Sequence, residues 1–372
     1  MVLHDAADCL RAALPRASHA VASHDIVRGS LLTLAHAMTR GLVLGKFLPY
    51  HAGHAHLIRT ARAAVDELIV LVCSIKREPI PGALRFGWVR DAHPDCRIVH
   101  VAEEVPQAPE DGPEFWPIWT DLISRYAGQV DRVFTSETYG EELARRIGAR
   151  HICVDPDRLT VPISATELRR APLRYWEYIP ASVRPYYARR IALLGTESTG
   201  KTTIAERLAE RFDTVWVREY GREYCETRPA LSLTLPDFEA IAWGQATLED
   251  EAALDANRVL ICDTELHTTA TWSDLVIGTR PAWLTDAARA RHYDLVLLFD
   301  HDLPWVADGT RVLSNRRPEH TQRLRDELEA AGRQYTVLSG SYANREREAA
   351  RLVSALLRAD GVDMGAVASL AR

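Results

Sequence analysis

One stretch limits what this chain can fold into more than any other. From Ile191 an apolar run enters Gly195-Thr196-Glu197-Ser198-Thr199-Gly200-Lys201-Thr202-Thr203, and helix formers follow from Ile204 to Leu208. The form is G-x-x-x-x-G-K-[ST], between a strand and a helix, which is the context a phosphate-binding loop requires. Successive backbone N–H groups turned inward make an anion cavity, and the new helix adds its positive end. Gly195, Glu197, Ser198, Thr199, Gly200 and Thr203 are therefore candidates for holding a nucleoside triphosphate. Lys201 reaches its β- and γ-phosphates, and the Thr202 hydroxyl ligates Mg²⁺.

The 372 residues suffice for about two domains. With 47% hydrophobic and 26% charged residues, the chain reads as globular rather than disordered. A net charge of −6 offers no electrostatic footprint for nucleic acid or an anionic lipid surface. The six cysteines form no C-x-x-C pair and read as reduced thiols of a cytoplasmic protein. No stretch has the length of a membrane helix, and no positive n-region of a signal peptide is present. Of the 45 lysine and arginine residues only Lys46, Lys76 and Lys201 are lysines. A retained lysine points to a need for a compact ammonium rather than a planar fork.

Ahead of the loop, residues 1–39 read as a tail, expected to be disordered. Strands are expected at 41–47, 67–73, 97–102, 131–135 and 150–154, with helices between them, including 83–92, 115–127 and 138–147. Alternation of this kind predicts a Rossmann-like α/β domain with a mainly parallel sheet over 40–178. A Pro-, aromatic- and Arg-rich junction at 179–189 leads to a second domain, 190–358, of the P-loop NTPase fold. Its expected strands are 191–194, 214–218, 258–262, 294–299 and 335–338, its last helix is about 342–358, and 359–372 is a tail.

Each domain carries its own chemistry. In the first, His51-Ala52-Gly53-His54 starts a helix directly after the first strand. Imidazoles and backbone N–H groups there can hold a polyphosphate, and Gly53 permits close approach. A metal site is the weaker reading, since no third ligand is arranged nearby. Ser164 opens another helix with Glu167 completing a capping box, and Arg169 lies one turn in, either a surface residue or a phosphate clamp. An acidic, proline-bearing loop runs into Phe115-Trp116-Pro117-Ile118-Trp119. Trp116 and Trp119 are either core or the wall of a pocket for a flat ring.

In the second domain, Arg218-Glu219-Tyr220-Gly221-Arg222-Glu223-Tyr224 follows a strand, where α/β folds place ligands. Glu219 can accept a hydroxyl proton or hold a ribose hydroxyl, Tyr220 and Tyr224 can stack on a heteroaromatic ring, and Arg222 completes the cluster. Asp263 ends an apolar strand at the position that holds Mg²⁺ in such folds, or else it caps a helix. Segment 304–317 is placed as a lid, with Asp308 toward the substrate and Arg311 toward the phosphates. Sequence alone does not rank Arg311 against Arg316 and Arg317.

The first-domain stretches resemble the nucleotidyltransferase superfamily, marked by H-x-G-H and I-S-x-T-x-x-R. Followed by a P-loop domain, they resemble the bifunctional NMN adenylyltransferase/ribosylnicotinamide kinase (NadR-type) family. Pro79-Ile80-Pro81-Gly82-Ala83-Leu84-Arg85, the Pro106–Asp111 loop, Asp263-Thr264 and Trp305 with Asp308-Gly309-x-Arg311 add to the likeness. The resemblance implies ATP and Mg²⁺ as cofactors, with nicotinamide riboside, NMN and NAD as ligands. By the same resemblance His51, His54 and Lys46 face the reacting phosphates, Ser164 and Arg169 bind the β- and γ-phosphates, and Gly45, Phe47, Gly53 and Thr166 line the ATP site. Some family members carry an N-terminal helix-turn-helix domain, whose pattern is absent here, so a repressor role is not expected. A homo-oligomer stays open. So do a kinase for a related nucleoside with a sensing N-terminal domain, and a flavin-type adenylyltransferase/kinase.

Overall fold

Each apolar run expected as a strand forms one in the computed structural model, which describes residues 38–226, 232–307 and 314–365. The tail expected over 1–39 lies, except for its last two residues, outside the described residues. So do the second half of the tail at 359–372 and the lid residues Asp308 and Arg311. In the first half of the chain the strands are β1 (Arg40–Gly45), β2 (Glu67–Cys73), β3 (Arg97–Val101), β4 (Arg132–Thr135) and β5 (Arg150–Cys153). They form one sheet in the order β3-β2-β1-β4-β5, and every neighbouring pair is parallel. In the second half come β6 (Arg189–Gly195), β7 (Trp216–Val217), β8 (Val259–Asp263), β9 (Leu295–Phe299) and β10 (Thr336–Leu338). Their sheet has the order β10-β9-β6-β8-β7, again parallel throughout.

The strand sequences explain this. Runs such as Glu67–Cys73 are buried almost end to end, which suits strands covered by helices on both faces. β1 pairs with β2 on one side and β4 on the other, so the chain changes direction across the sheet beside β1. A crevice opens outside the carboxyl ends of the strands at such a point. The second sheet repeats the device, with β6 between β8 and β9. The loops after β1 and β6 are the two motif-bearing loops.

Most strand boundaries move by one or two residues from expectation, and two of the differences lie at β1 and β7. β1 stops at Gly45 rather than 47. Phe47 takes a left-handed backbone (φ +48°) and buries its ring, turning the chain into the site loop. β7 is two residues long, Trp216–Val217 rather than 214–218, and beside it the Thr214 hydroxyl donates to the Val259 carbonyl.

The junction is packed. Leu173, Trp176, Ile179 and Val183 are buried in one apolar core that runs from Val43 and Val70 of the first sheet to Ile191 and Leu260 of the second. Arg258 Nε also donates to the Leu173 carbonyl at 2.8 Å.

Candidate active sites

The first site is built on the loop after β1. His51 is the N-cap of helix Ala52–Ala63, and its Nδ1 accepts from Gly53 N at 3.1 Å. A backbone N–H can only donate, so Nδ1 is unprotonated and the His51 proton sits on Nε2. Gly53 has no room for a larger residue, since a Cβ there would lie 2.9 Å from His51 Cε1. His54 lies one turn on, with its ring centroid 3.9 Å from that of His51 and 5.0 Å from that of Phe47. Burial, with Arg158 adding repulsion, holds the His51 imidazole down to about 4. Burial, His51 and Arg158 push His54 well below its usual range, against the Pro49 backbone, which favours its proton. Both rings are therefore neutral hydrogen-bonding groups at pH 7, not cations.

Across the crevice, Ser164 caps helix Ala165–Arg170. Its Oγ accepts from Glu167 N at 3.1 Å and donates to Glu167 Oε2 at 2.6 Å. Arg169 donates to the Leu48 carbonyl and, at 3.1 Å, to Thr166 Oγ1, which ties this helix to the β1 loop. A cavity of about 540 Å³ lies between these elements. Gly45, Lys46, Phe47, His51, Gly53, His54, Trp116, Trp119, Ser164 and Arg169 all line it. Thr166 does not; it supports Arg169 from outside the wall. Trp119 Nε1 donates to the Pro106 carbonyl at 2.9 Å, and the Arg146 guanidinium stacks 4.9 Å over Trp116. Wall and packing are thus one arrangement for these tryptophans.

Sequence reasoning gave no role of its own to Arg85. Its guanidinium is fully buried and donates to the carbonyls of Lys46, Cys73 (3.3 Å) and Ile80 (3.1 Å) and to Glu78 Oε2 (2.5 Å). Glu78 in turn pairs with Lys46 Nζ at 3.4 Å. One buried cation so gathers the ends of β1 and β2 behind the cavity and aims Lys46. Replacing Arg85 with Met removes the buried partner of the Glu78 carboxylate and of three carbonyls, leaving Glu78 only Lys46 and the Ile75 N–H. It is expected to cost about 3–5 kcal/mol, read as a lowered melting temperature, with adenylyl transfer falling in the same variant. An unchanged melting temperature would show that Arg85 does not hold this corner.

The second site is the loop after β6. Gly200 is left-handed (φ +86°), and a Cβ there would sit 2.5 Å from the Tyr342 ring, so only glycine fits. Helix Lys201–Arg211 starts at once. Lys201 Nζ curls back onto the loop, donating to the carbonyls of Gly195 (2.9 Å) and Thr196 (3.1 Å). Thr202 Oγ1 donates to Asp263 Oδ2 at 2.5 Å across the β6–β8 pair. Burial raises the Asp263 carboxyl to about 6; Lys201, Thr202 and Arg222 oppose the shift and Glu219 adds to it. Those charges therefore converge on one point. The loop's Thr199 is tied from behind by the buried Arg345, whose guanidinium donates to the carbonyls of Thr199 (3.3 Å), Asp300 (2.9 Å) and Gly340 (2.8 Å). Each domain thus stakes its anion loop with one buried arginine.

A second cavity opens beside this loop, lined by Glu197, Glu219, Arg222, Gln245, Thr264 and Trp272 among others. Tyr220 and Tyr224 do not line it. The Tyr220 ring fills the space over Gly244, and the Tyr224 hydroxyl donates to Asp237 Oδ1 at 2.7 Å; both rings pack on Phe238 and Ile241. The aromatic wall comes instead from Trp272 and Phe238 on two later helices. Nothing in the local sequence singles these out, since each reads as an ordinary apolar helix position. Trp305 Nε1 donates to Glu197 Oε2 at 3.2 Å and Val306 N to Ser198 Oγ at 3.1 Å, laying the start of the lid segment on the loop. Arg316 bonds Glu319 and the Leu275 carbonyl, and Arg317 the Leu303 carbonyl. Ser198 is left-handed within the loop, and Thr203 lies in the first turn of the helix.

Comparison with known proteins matches both halves. Residues 42–171 fit the cytidylyltransferase-like family, and residues 190–345 fit a family described as AAA domain. The chain is 32% identical over 299 residues to the trifunctional NAD biosynthesis/regulator protein NadR of Escherichia coli K12. That match spans 74% of this chain and 72% of the relative. The Salmonella typhimurium protein of the same name is 31% identical over 296 residues, with the same shares covered. A nicotinamide-nucleotide adenylyltransferase of Methanosarcina barkeri is 28% identical over 156 residues, 39% of this chain and 86% of that protein. Among solved structures, a NadR protein in complex with NAD and AMP-PNP superposes with a TM-score of 0.70 at 22% identity. It covers 88% of this chain and 97% of its own. A NadR complex with NR gives the same TM-score at 21% identity, over 85% of this chain and 95% of its own. These likenesses carry the two-domain fold.

Proposed function

Because the chain belongs to the NadR family, we propose that it carries out two consecutive steps of NAD salvage in the cytoplasm. The P-loop domain phosphorylates the 5′-hydroxyl of nicotinamide riboside with ATP. The first domain transfers the adenylyl group of a second ATP to the resulting NMN, giving NAD and pyrophosphate. The observation that carries this reading is the pair of built anion loops, each opening on its own cavity within one chain. The domain limits 40–178 and 190–358 are part of the proposal.

In the kinase site the loop N–H groups and Lys201 hold the β- and γ-phosphates, and Lys201 leaves its loop carbonyls to do so. Glu219 accepts the proton of the attacking hydroxyl. The Thr202–Asp263 corner fits Mg²⁺: both are hard oxygen donors, and the buried Asp263 Oδ1 has no partner among the described residues. Thr202 and Asp263 would hold the ion, which when bound neutralises charge on the transferring phosphates. Glu197 and Arg222 border the nucleoside. Asp308 and Arg311 are proposed to close over substrate and phosphates.

In the adenylyl site the chain supplies no covalent nucleophile. His51 Nε2–H, His54, Lys46, Ser164 and Arg169 surround the triphosphate, with Gly45, Phe47 and Gly53 shaping the wall and Thr166 holding Arg169 from behind it. Their work is to orient the NMN phosphate in line with the α-phosphate and to stabilise the charge that passes to pyrophosphate. Trp116 and Trp119 form the side against which the pyridine ring lies.

Incubation with nicotinamide riboside, ATP and Mg²⁺ tests the whole reading. NMN should appear first, then NAD with stoichiometric pyrophosphate; formation of neither product overturns it. The pH profile tests the metal corner. An acid raised to about 6 is a carboxylate above that pH and neutral below it. Kinase kcat/KM for ATP should thus fall about tenfold per pH unit below the limb. Raising Mg²⁺ should displace the limb to lower pH, because the ion competes with the proton. A limb that ignores Mg²⁺ would remove Asp263 from the metal.

A further inference from the structure

The nucleoside cavity has a polar end and an apolar end. Leaving Asp263 and Thr264, helix Leu266–Ile277 brings Thr268 and Thr269 to the wall first and Trp272 a turn later. Helix Leu235–Ala252 lies against it and presents Gln245, then Ile241, then Phe238. Gln245 sits at the catalytic end, because its Oε1 accepts from Tyr220 N, next to Glu219, at 2.9 Å. Trp272, Phe238, Ile241 and Leu233 cluster at the other end.

The polar end contains unspent hydrogen-bonding groups. Gln245, Thr264 and Thr268 are 1%, 3% and 2% exposed, yet Gln245 Nε2, Thr264 Oγ1 and Thr268 Oγ1 have no partner among the described residues. Buried polar groups are nearly always satisfied, and each exception needs a reason. Local helix bonding is not that reason. The Thr271 hydroxyl bonds back to the Thr268 carbonyl at 2.9 Å, while the Thr268 hydroxyl makes no such bond. The Gln245 amide orientation is also not free. Tyr220 N–H can only donate, so the oxygen must face it and the NH₂ is left as a fixed donor.

We infer that Gln245, with Thr264 and Thr268, binds the ribose hydroxyls of the nucleoside and sets a preference for a ribonucleoside over its deoxy analogues. The inference rests on the kinase reading above. With the 5′-hydroxyl at Asp263 and Glu219 and the flat ring between Trp272 and Phe238, the sugar spans the polar end. A donor NH₂ and two hydroxyls match a diol, whose oxygens both donate and accept. An analogue lacking the matching hydroxyl leaves these groups buried and unpaired, which is how such sites discriminate.

The test compares nicotinamide riboside with its 2′-deoxy and 3′-deoxy analogues as kinase substrates. For the unchanged protein, kcat/KM should favour the riboside over at least one analogue by about 10–100-fold. Gln245→Met should bring that ratio to within about threefold of unity by lowering only the riboside value. Thr268→Val, which keeps the side-chain shape, should narrow the same ratio in part. A merely structural role for Gln245, through Tyr220, would lower all three substrates together and leave the ratio intact. Unchanged ratios in both variants overturn the inference. Failure of the unchanged protein to phosphorylate nicotinamide riboside at all overturns instead the reading on which it rests.

Discussion

Lys201→Ala abolishes the kinase reaction, by on the order of 10³-fold in kcat, and leaves adenylyl transfer within about twofold. The argument starts from the loop. Lys201 Nζ is 2.9 Å and 3.1 Å from the Gly195 and Thr196 carbonyls, which hold it on the loop. A triphosphate offers the ammonium anionic acceptors in place of these neutral carbonyls. Charge that shifts toward the bridging oxygen during transfer then meets a fixed ammonium. Alanine removes that charge without disturbing the backbone, since Gly200 sets the turn and Arg345 anchors Thr199. The other cavity shares no lining residue with this one. The measurement is NMN formation from nicotinamide riboside beside NAD formation from NMN, on the same preparation. Loss of both activities in a folded variant would sink the two-site account.

His54→Ala gives the mirror image. Adenylyl transfer should fall by about 10²–10³-fold in kcat while the kinase rate holds. His54 faces the cavity beside His51, and both rings are neutral at pH 7 in the absence of ligand. Their contribution is then a hydrogen bond aimed at the phosphates rather than a standing charge. Lys46, Arg158 and Arg169 in the same wall supply the full positive charges. Such a donor acts on the charge that develops in the transition state, so the loss should appear in kcat more than in KM for ATP. A variant that raises only KM would assign His54 to ground-state binding.

Much of this molecule was legible in its sequence. The strands at Glu67–Cys73 and Arg150–Cys153, the capping box of Ser164 and Glu167, and both anion loops are local facts written in contiguous residues. Parallel pairing followed from the strand–helix alternation, because a parallel neighbour needs a crossover. Local patterns said less about side chains whose partners are distant in sequence. Tyr220 and Tyr224 have the composition of a ring-binding cluster, yet their rings pack on the helix that carries Phe238. Trp272 and Phe238, unremarkable in sequence, meet at the cavity because two helices cross there. Arg85 and Arg345 look like surface arginines within helices and are fully buried, each donating to carbonyls of other segments and paired with a carboxylate, Glu78 or Asp302.

By itself the sequence determined that two α/β domains follow one another, and which loop in each carries the motif proposed to meet phosphate. Backbone N–H groups, a residue with positive φ (Phe47 in the first loop, Gly195 and Gly200 in the second) and a helix start make an anion cradle, and all lie within a few residues of one another. Only the tertiary structure decided which groups surround the rest of each ligand. A cavity wall is assembled from helices whose spacing depends on packing, and whether a polar atom is spent or free depends on partners tens of residues away. That is why the loop residues 195–202 could be read directly, while Gln245, held by the N–H of Tyr220, became meaningful only once the chain had folded.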